Sequence, residues 1–140
     1  MMGLDVGDKT IGVAMSDELQ TIATPVKIIH RTESIRKDIG EIRKLAEENG
    51  VNLIVVGLPL MMDGSIGIQA QKVLDFVQEL KRRTRTEIVT WDERLSTSEV
   101  ERMLISSDQS RSKRKQVIDK LAAAVILQSY MERHPTGENG

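Results

Sequence analysis

Acidic residues at the ends of apolar segments are the feature of this sequence that points most directly to chemistry. Asp5 lies inside GLDVGDKTIGVAMSD (residues 3–17), where the neighbouring apolar residues indicate a buried strand. Asp92 and Glu93 follow a second apolar strand, and Asp119 begins the apolar part of the last predicted helix. A buried carboxylate costs several kcal/mol unless a cation or hydrogen bonds compensate it. We therefore expect the partner of Asp5 to be a cation that several of these acids share.

The composition narrows the kind of cation and the reaction. The chain has no cysteine, so oxygen ligands remain, and these favour magnesium or manganese over zinc. Two such ions about 4 Å apart activate a water and stabilise the leaving oxygen when a phosphodiester is hydrolysed. The two histidines, His30 and His134, stand alone in the sequence, and we assign them no catalytic role.

Each acid also has a structural explanation when it is considered separately. An acid at a strand end, such as Asp92 or Glu93, is more often a turn or cap residue. Asp119 lies four residues after Lys115, which is the spacing of an ion pair on a helix. Asp5 is harder to explain in this way, because apolar residues flank it on both sides.

The turn after the first strand suggests contact with phosphate. It reads DVGDK, where Gly7 allows a tight backbone turn and Lys9 stands beside it. The ATPases of the actin and sugar-kinase type use a similar turn, but their fold needs two such domains around a nucleotide. We rank that function well below a nuclease.

Two basic clusters are candidates for contact with a nucleic-acid backbone. The first, RSKRK, carries Arg111, Lys113, Arg114 and Lys115 directly before the helix of Asp119. The second, KRRTR, carries Lys81, Arg82, Arg83 and Arg85, and a solvated surface explains it at least as well. The chain has one Trp, one Tyr and one Phe, so stacking on single-stranded bases is disfavoured relative to recognition of a structured backbone.

Length and composition are those of one soluble domain. The chain has 140 residues, and 29% of them are charged. Its net charge of -1 does not by itself indicate a protein that binds nucleic acid. No apolar run approaches the roughly 20 residues of a membrane span, and no secretory signal is apparent. We predict a cytoplasmic protein with a single domain at 1–133 and a flexible C-terminal tail at 134–140.

The predicted elements follow the order β-β-β-α-β-α-β-α-α. After the strand of Asp5, strands are predicted at 10–16, 24–30, 51–59 and 87–91. Helices are predicted from Ser34 to about residue 48, around 70–80, at 96–105 after a capping box, and at 115–132, with a mobile loop at 106–115 before the last. Three antiparallel strands and two α-β crossovers predict an α/β fold with a five-stranded mixed sheet flanked by helices.

Four segments together resemble the YqgF/RuvX family, bacterial proteins with an RNase H-like fold. They are GLDVGDKTIGVAMSD, IVVGLPLMMDGSIGIQA, VTWDERLSTSEVERML and RKQVIDKLAAAVILQSYM. They occur in the order of the family and span almost the whole chain. The resemblance implies a nuclease that processes the 5′ end of pre-16S rRNA. The family's other name, Holliday junction resolvase, reflects its likeness to RuvC.

The resemblance also assigns residues. The strand-one acid of the family falls on Asp5, its D-E-R segment on Asp92, Glu93 and Arg94, and its last-helix acid on Asp119. We take Asp5, Asp119 and Glu93 as the predicted metal ligands. Asp92 or Glu93 would complete the coordination shell of the metal or orient the water that attacks the phosphodiester.

Other family positions are expected to line the same cleft. The G-L-P turn falls on residues 57–59 and the D-G pair on Asp63 and Gly64. Three departures are Thr10, Met61 and Ser96, which stand where Arg, Asn and Thr are common. The last helix offers one acid where RuvC-like resolvases tend to have two.

The function predicted from the sequence is metal-dependent cleavage of structured RNA, in the setting of ribosomal precursor particles. Lys9, Arg94 and the RSKRK cluster are the predicted phosphate contacts. One alternative is a Holliday junction resolvase, which acts on four-way DNA as a dimer. Another is a catalytically weak RNA-binding factor of ribosome assembly. We expect a monomer or a homodimer.

Overall fold

A five-stranded sheet is the framework of the molecule. The structure is a computed structural model that describes residues 1–95 and 111–134, with side chains for 1–95 and 121–134. The strands are β1 (Met2–Val6), β2 (Thr10–Ser16), β3 (Ala23–His30), β4 (Leu53–Leu58) and β5 (Glu87–Asp92). Their order is β3-β2-β1-β4-β5, with antiparallel pairing in the first three and parallel pairing of β4 with β1 and β5. The predicted mixed sheet is confirmed.

Helices cover both faces of this sheet. They are α1 (Ile35–Glu48), α2 (Ile68–Arg83) and α3 (Arg111–Arg133). The start of α1 is set by Ser34, whose side chain accepts a hydrogen bond from Lys37 N at 3.2 Å, and its end by Asn49 followed by Gly50 at φ +61°. Within the part of the chain that the structure describes, no helix combines the length and apolar character needed to cross a bilayer.

The last helix begins earlier than predicted. α3 starts at Arg111, so the prediction of a loop up to residue 115 is wrong for its final residues. Arginine and lysine are good helix formers, and the segment contains no glycine or proline to stop a helix. No apolar periodicity marks these first turns, which is why the sequence pattern missed them. The helix predicted at 96–105 and the tail residues 135–140 lie outside the described residues.

Alternating side chains of the strands supply two cores. On one face, Leu4 of β1 and Val56 of β4 belong to the larger cluster, which they share with α1 and α2. On the other face, Val55 packs in a smaller cluster with α3, where Ala123 and Leu127 are fully buried. Because side chains along a strand alternate between faces, Asp5 lies on the α3 face of β1.

Close approach of α3 to β1 requires glycine at position 3. A Cβ atom placed on Gly3 would lie 2.7 Å from the carbonyl oxygen of Ala123 and 2.8 Å from the Cβ of Leu127. The contact at Gly3 thus fixes how near this part of the helix comes to the strand that carries Asp5.

Replacing Gly3 tests this packing. We expect Gly3→Ala to lower the free energy of unfolding by about 1–3 kcal/mol, because the added methyl group overpacks a backbone contact. The matched control is Gly40→Ala in α1, where a Cβ would meet nothing within 4 Å. That change should raise stability by about 0.4–1 kcal/mol, because it lowers the entropy of the unfolded chain. Urea denaturation measures both, and equal effects of the two substitutions would contradict the account.

Candidate active site

The carboxyl groups of Asp5 and Glu93 are hydrogen-bonded to each other at one end of the sheet. Asp5 lies in β1, and Glu93 directly follows β5 and opens a 3₁₀ turn, Glu93–Leu95. Between these two strands runs β4, which carries no side chain at Gly57. Residues 88 positions apart in the sequence thereby form one site, at the end of the parallel strands where open α/β sheets place their ligands.

Gly57 provides the space that Glu93 occupies. A Cβ atom on Gly57 would lie 2.9 Å from both the Cγ and the Oε1 atoms of Glu93, and it would also collide with the side chain of Ile126. Any other residue at this position would therefore push Glu93 away from the cleft. This geometry gives a physical reason for a glycine that the sequence placed in the cleft only by resemblance.

The environment of Glu93 favours its protonated form. Its pKa rises from the ordinary 4.5 to about 8, first because burial disfavours the charge, and then because of the negative charge of Asp5, the hydrogen bond to Asp5 and the charge of Asp92. At neutral pH the two carboxyl groups therefore hold a proton between them. A divalent cation placed there would take over the role of this proton.

The neighbouring acid, Asp92, has a different partner. Its two carboxylate oxygens accept hydrogen bonds from Arg94 Nε at 3.1 and 3.0 Å. Oδ2 also accepts one from Arg94 Nη2 at 2.7 Å. The hydrogen bond from the Arg94 guanidinium holds the pKa of Asp92 below its ordinary value, although partial burial opposes this. Of these two acids, Glu93 contacts Asp5, whereas Asp92 at the end of β5 contacts Arg94.

Arg94 joins the end of β5 to the loop that follows β4. Its Nη1 donates to the carbonyl oxygen of Met62 at 3.2 Å. In the same loop, Asp63 accepts hydrogen bonds from the backbone N–H and the hydroxyl of Ser65, and Gly64 adopts φ +88°. A guanidinium has five N–H donors, so Arg94 keeps donors for a phosphate after these contacts.

A buried acid outside this pair, Asp38, was missed by the sequence reasoning. Its side chain is 2% exposed and accepts from Thr32 N at 3.0 Å and Thr32 Oγ1 at 2.9 Å, with Arg31 Nε at 3.5 Å. Arg31 Nη1 also donates to the carbonyl oxygen of Gly7 at 2.9 Å. Asp38 thus supports the β1–β2 turn, where Lys9 is exposed. Its place in the first turn of α1 was the available signal, because acids favour helix N-termini.

The remaining predicted residues lie on α3. The structure describes the backbone of this helix from residue 111 but its side chains only from residue 121. The predicted residues before that point are Asp119 and the basic residues Arg111, Lys113, Arg114 and Lys115. Their contacts therefore stay predictions. Within 1–95 and 121–134, no three metal-binding side chains form a cluster, and the ligands described are the two carboxyl groups of Asp5 and Glu93.

The two histidines do not join the acids. His30 is exposed on β3. His134 stacks on Tyr130 with ring centroids 4.2 Å apart, and Trp91 meets both rings edge-on at 5.6 Å. These contacts make His134 part of an aromatic cluster at the end of α3.

Residues 1–133 match the family model described as RuvX, Holliday junction resolvase. The chain belongs to the RuvX family. One RuvX relative, from Desulforamulus reducens, is 52% identical over 132 residues and covers 94% of this chain and 96% of its own. Another, from Clostridioides difficile, is 51% identical over 132 residues, covering 94% and 93%. Both carry the name "Putative pre-16S rRNA nuclease".

Solved structures agree with the RuvX assignment at the level of the fold. Thermus thermophilus RuvC, in complex with a Holliday junction substrate, has a TM-score of 0.56 at 11% identity and covers 96% of this chain and 95% of its own. The fowlpox virus Holliday junction resolvase has a TM-score of 0.53 at 14% identity, covering 94% and 97%. The predicted RNase H-like fold is confirmed.

The raised pKa of Glu93 predicts how stability depends on pH. Between pH 4.5 and about 8 the folded protein holds a proton on Glu93 that the unfolded chain has lost. The free energy of unfolding should therefore fall as the pH rises through this window. Glu93→Gln should remove that part of the slope and be more stable than the wild type at pH 8. Thermal melts in a metal chelator measure this, and parallel pH profiles for the two proteins would contradict it.

Proposed function

We propose that this RuvX-family protein is a metal-dependent nuclease that hydrolyses phosphodiester bonds at the 5′ end of pre-16S rRNA in the cytoplasm. The observation that carries the proposal is the half-buried, hydrogen-bonded carboxyl pair of Asp5 and Glu93 at the end of the parallel strands. The names of the relatives support the choice of substrate.

The donor set fits magnesium or manganese. Two half-buried carboxyl groups in contact offer hard oxygen ligands, and a divalent cation would compensate the negative charge that now raises the pKa of Glu93. Asp5 and Glu93 are the proposed ligands from the sheet, with Asp119 as the third from α3. When bound, the ion supplies Lewis-acid stabilisation of the phosphodiester oxygens and lowers the pKa of a water.

The two acids of the D-E-R segment have separate proposed roles. Glu93 belongs to the metal site, because it is the one that contacts Asp5. Asp92 positions Arg94, which it holds through two Nε contacts and one Nη2 contact. Arg94 then presents its free N–H groups to a substrate phosphate. Lys9 and the basic start of α3 are the other proposed phosphate contacts.

A four-way DNA junction is the second candidate substrate. The description of the family model and the two resolvases of similar fold favour it. Cleavage of a junction by two symmetric cuts would need a homodimer. Structured RNA remains the first candidate because relatives at about half identity over nearly the whole chain carry an rRNA name.

Metal binding can be tested without activity. Mn²⁺ at ten times its dissociation constant should stabilise the folded wild-type protein by about 1.4 kcal/mol, seen as an upward shift of the melting temperature at pH 8. Asp5→Asn and Glu93→Gln should abolish the shift. Asp63→Asn, an exposed loop acid bonded to Ser65, is the control and should keep it. An undiminished shift in both site variants would exclude this site.

Cleavage assays test the reaction. The purified protein is incubated with a pre-16S rRNA 5′ fragment or a four-way DNA junction, with Mg²⁺ or Mn²⁺. Asp5→Asn and Glu93→Gln should reduce cleavage at least about a hundredfold, because each removes a group that acts in the transition state. Asp92→Asn should mainly raise KM, because it releases Arg94.

Three outcomes would overturn parts of the proposal. Equal cleavage by wild type and Asp5→Asn would reject the catalytic assignment. Preference for the four-way DNA would favour the resolvase. Cellular function retained by Asp5→Asn, with no cleavage of either substrate by the wild type, would favour an RNA-binding factor of ribosome assembly.

A further inference from the structure

Four arginines converge in a groove that the proposed site does not use. The groove encloses about 440 Å³ between the C-terminal parts of α1 and α2 and the segment that leads into β5. Its charged lining consists of Arg43, Arg82, Arg83 and Arg85 against Glu47. The chain as a whole carries a net charge of -1, so this positive charge is a local concentration.

Stabilisation of the end of α2 explains only part of this cluster. Arg82 and Arg83 lie in the last turn of α2, where basic residues complement the helix dipole. Arg43 comes from α1, and its Nη1 donates to the carbonyl oxygen of Arg83 at 3.1 Å. It thereby occupies a helix-end carbonyl that would otherwise repel an anion. Arg85 lies beyond the helix, and no ion pair engages its side chain within the described residues.

Glu79 is an internal counter-ion for the groove. Its carboxylate forms ion pairs with Arg82 Nη1 at 3.1 Å and with Arg83 Nε at 3.4 Å. Ion pairs between side chains as exposed as these are weakly held. A chain of phosphates, which arginine forks bind by paired hydrogen bonds, can therefore compete with Glu79 for both arginines.

The groove is remote from the acids. It lies at the start of β5, whereas Glu93 follows the end of that strand. Six strand residues at about 3.3 Å each separate the two ends by about 20 Å. A ligand that reaches both places must be extended, and none of the described residues that line the groove is aromatic, so none offers base stacking.

We infer that this arginine groove binds backbone phosphates of the RNA substrate about 20 Å away from the cleaved bond. The choice of RNA rests on the proposed function. The binding itself depends on charge and on the shape of the groove. The groove would add affinity for long structured RNA and none for RNA too short to span the molecule.

The test measures RNA binding in a chelator, where cleavage does not interfere. The probes are a long structured pre-16S 5′ fragment and a single strand of about two nucleotides, which cannot span about 20 Å. The double variant Arg82→Glu, Arg85→Glu should weaken binding of the long RNA about tenfold or more. It should also reduce the slope of log K against log salt by about one for each arginine. Binding of the short strand should not change.

Two further variants distinguish loss of RNA binding at the groove from misfolding and from a general effect of charge. Glu79→Gln should tighten binding of the long RNA, because it releases Arg82 and Arg83, and a damaged fold cannot produce this gain. Arg133→Glu reverses one exposed charge at the end of α3, which is half the charge change of the double variant, and should leave binding unaltered.

Some results would overturn the inference. These are unchanged affinity of the long RNA in the double variant, an equal loss with Arg133→Glu, or no gain with Glu79→Gln. The first would also be the result if an acidic protein were the true occupant. Failure of RNA cleavage by the wild type would overturn the proposed function but leave this binding measurement intact.

Discussion

The contact between Asp5 and Glu93 is the interaction on which the rest of the candidate site depends. Ionisation of both half-buried carboxyl groups at short distance is disfavoured unless a positive charge compensates it, which is why the pKa of Glu93 is raised. This constraint gives Asp5 a reason to stand in an apolar strand. It also means that the pair lowers the stability of the folded protein above the ordinary pKa of Glu93, and groups with strongly shifted pKa values are common at functional sites.

Glycines on the α3 face make this contact available. Gly3 lets the backbone of α3 approach β1, and Gly57 leaves the space in which Glu93 reaches across β4. Around this centre, Asp92 and Arg94 bind each other and the loop after β4. Asp38 and Arg31 support the β1–β2 turn in a similar way. The polar groups near the site thus divide into the carboxyl pair of Asp5 and Glu93 and others that hold the surrounding loops.

Much of the fold was predictable, because period-two and helical patterns act locally. The strand at Thr10–Ser16 and the sheet architecture were confirmed, as was the membership of the RuvX family. The basic start of α3 was not predictable, since no apolar periodicity marks it. Asp38 was missed as well, since its burial depends on Thr32 and Arg31 folding back over the helix end.

The sequence by itself determined which residue types are available: acids next to apolar strands, no cysteine, and glycines at strand ends. These are local properties, fixed by composition and spacing. Only the tertiary structure decided between Asp92 and Glu93 as the partner of Asp5. The physical reason is that β5 ends at Asp92 beside β4, and Glu93, which opens the 3₁₀ turn, extends over Gly57 of β4 to Asp5 of β1. Tertiary packing also brings Arg43 of α1 to the end of α2, a contact that no local sequence pattern predicts.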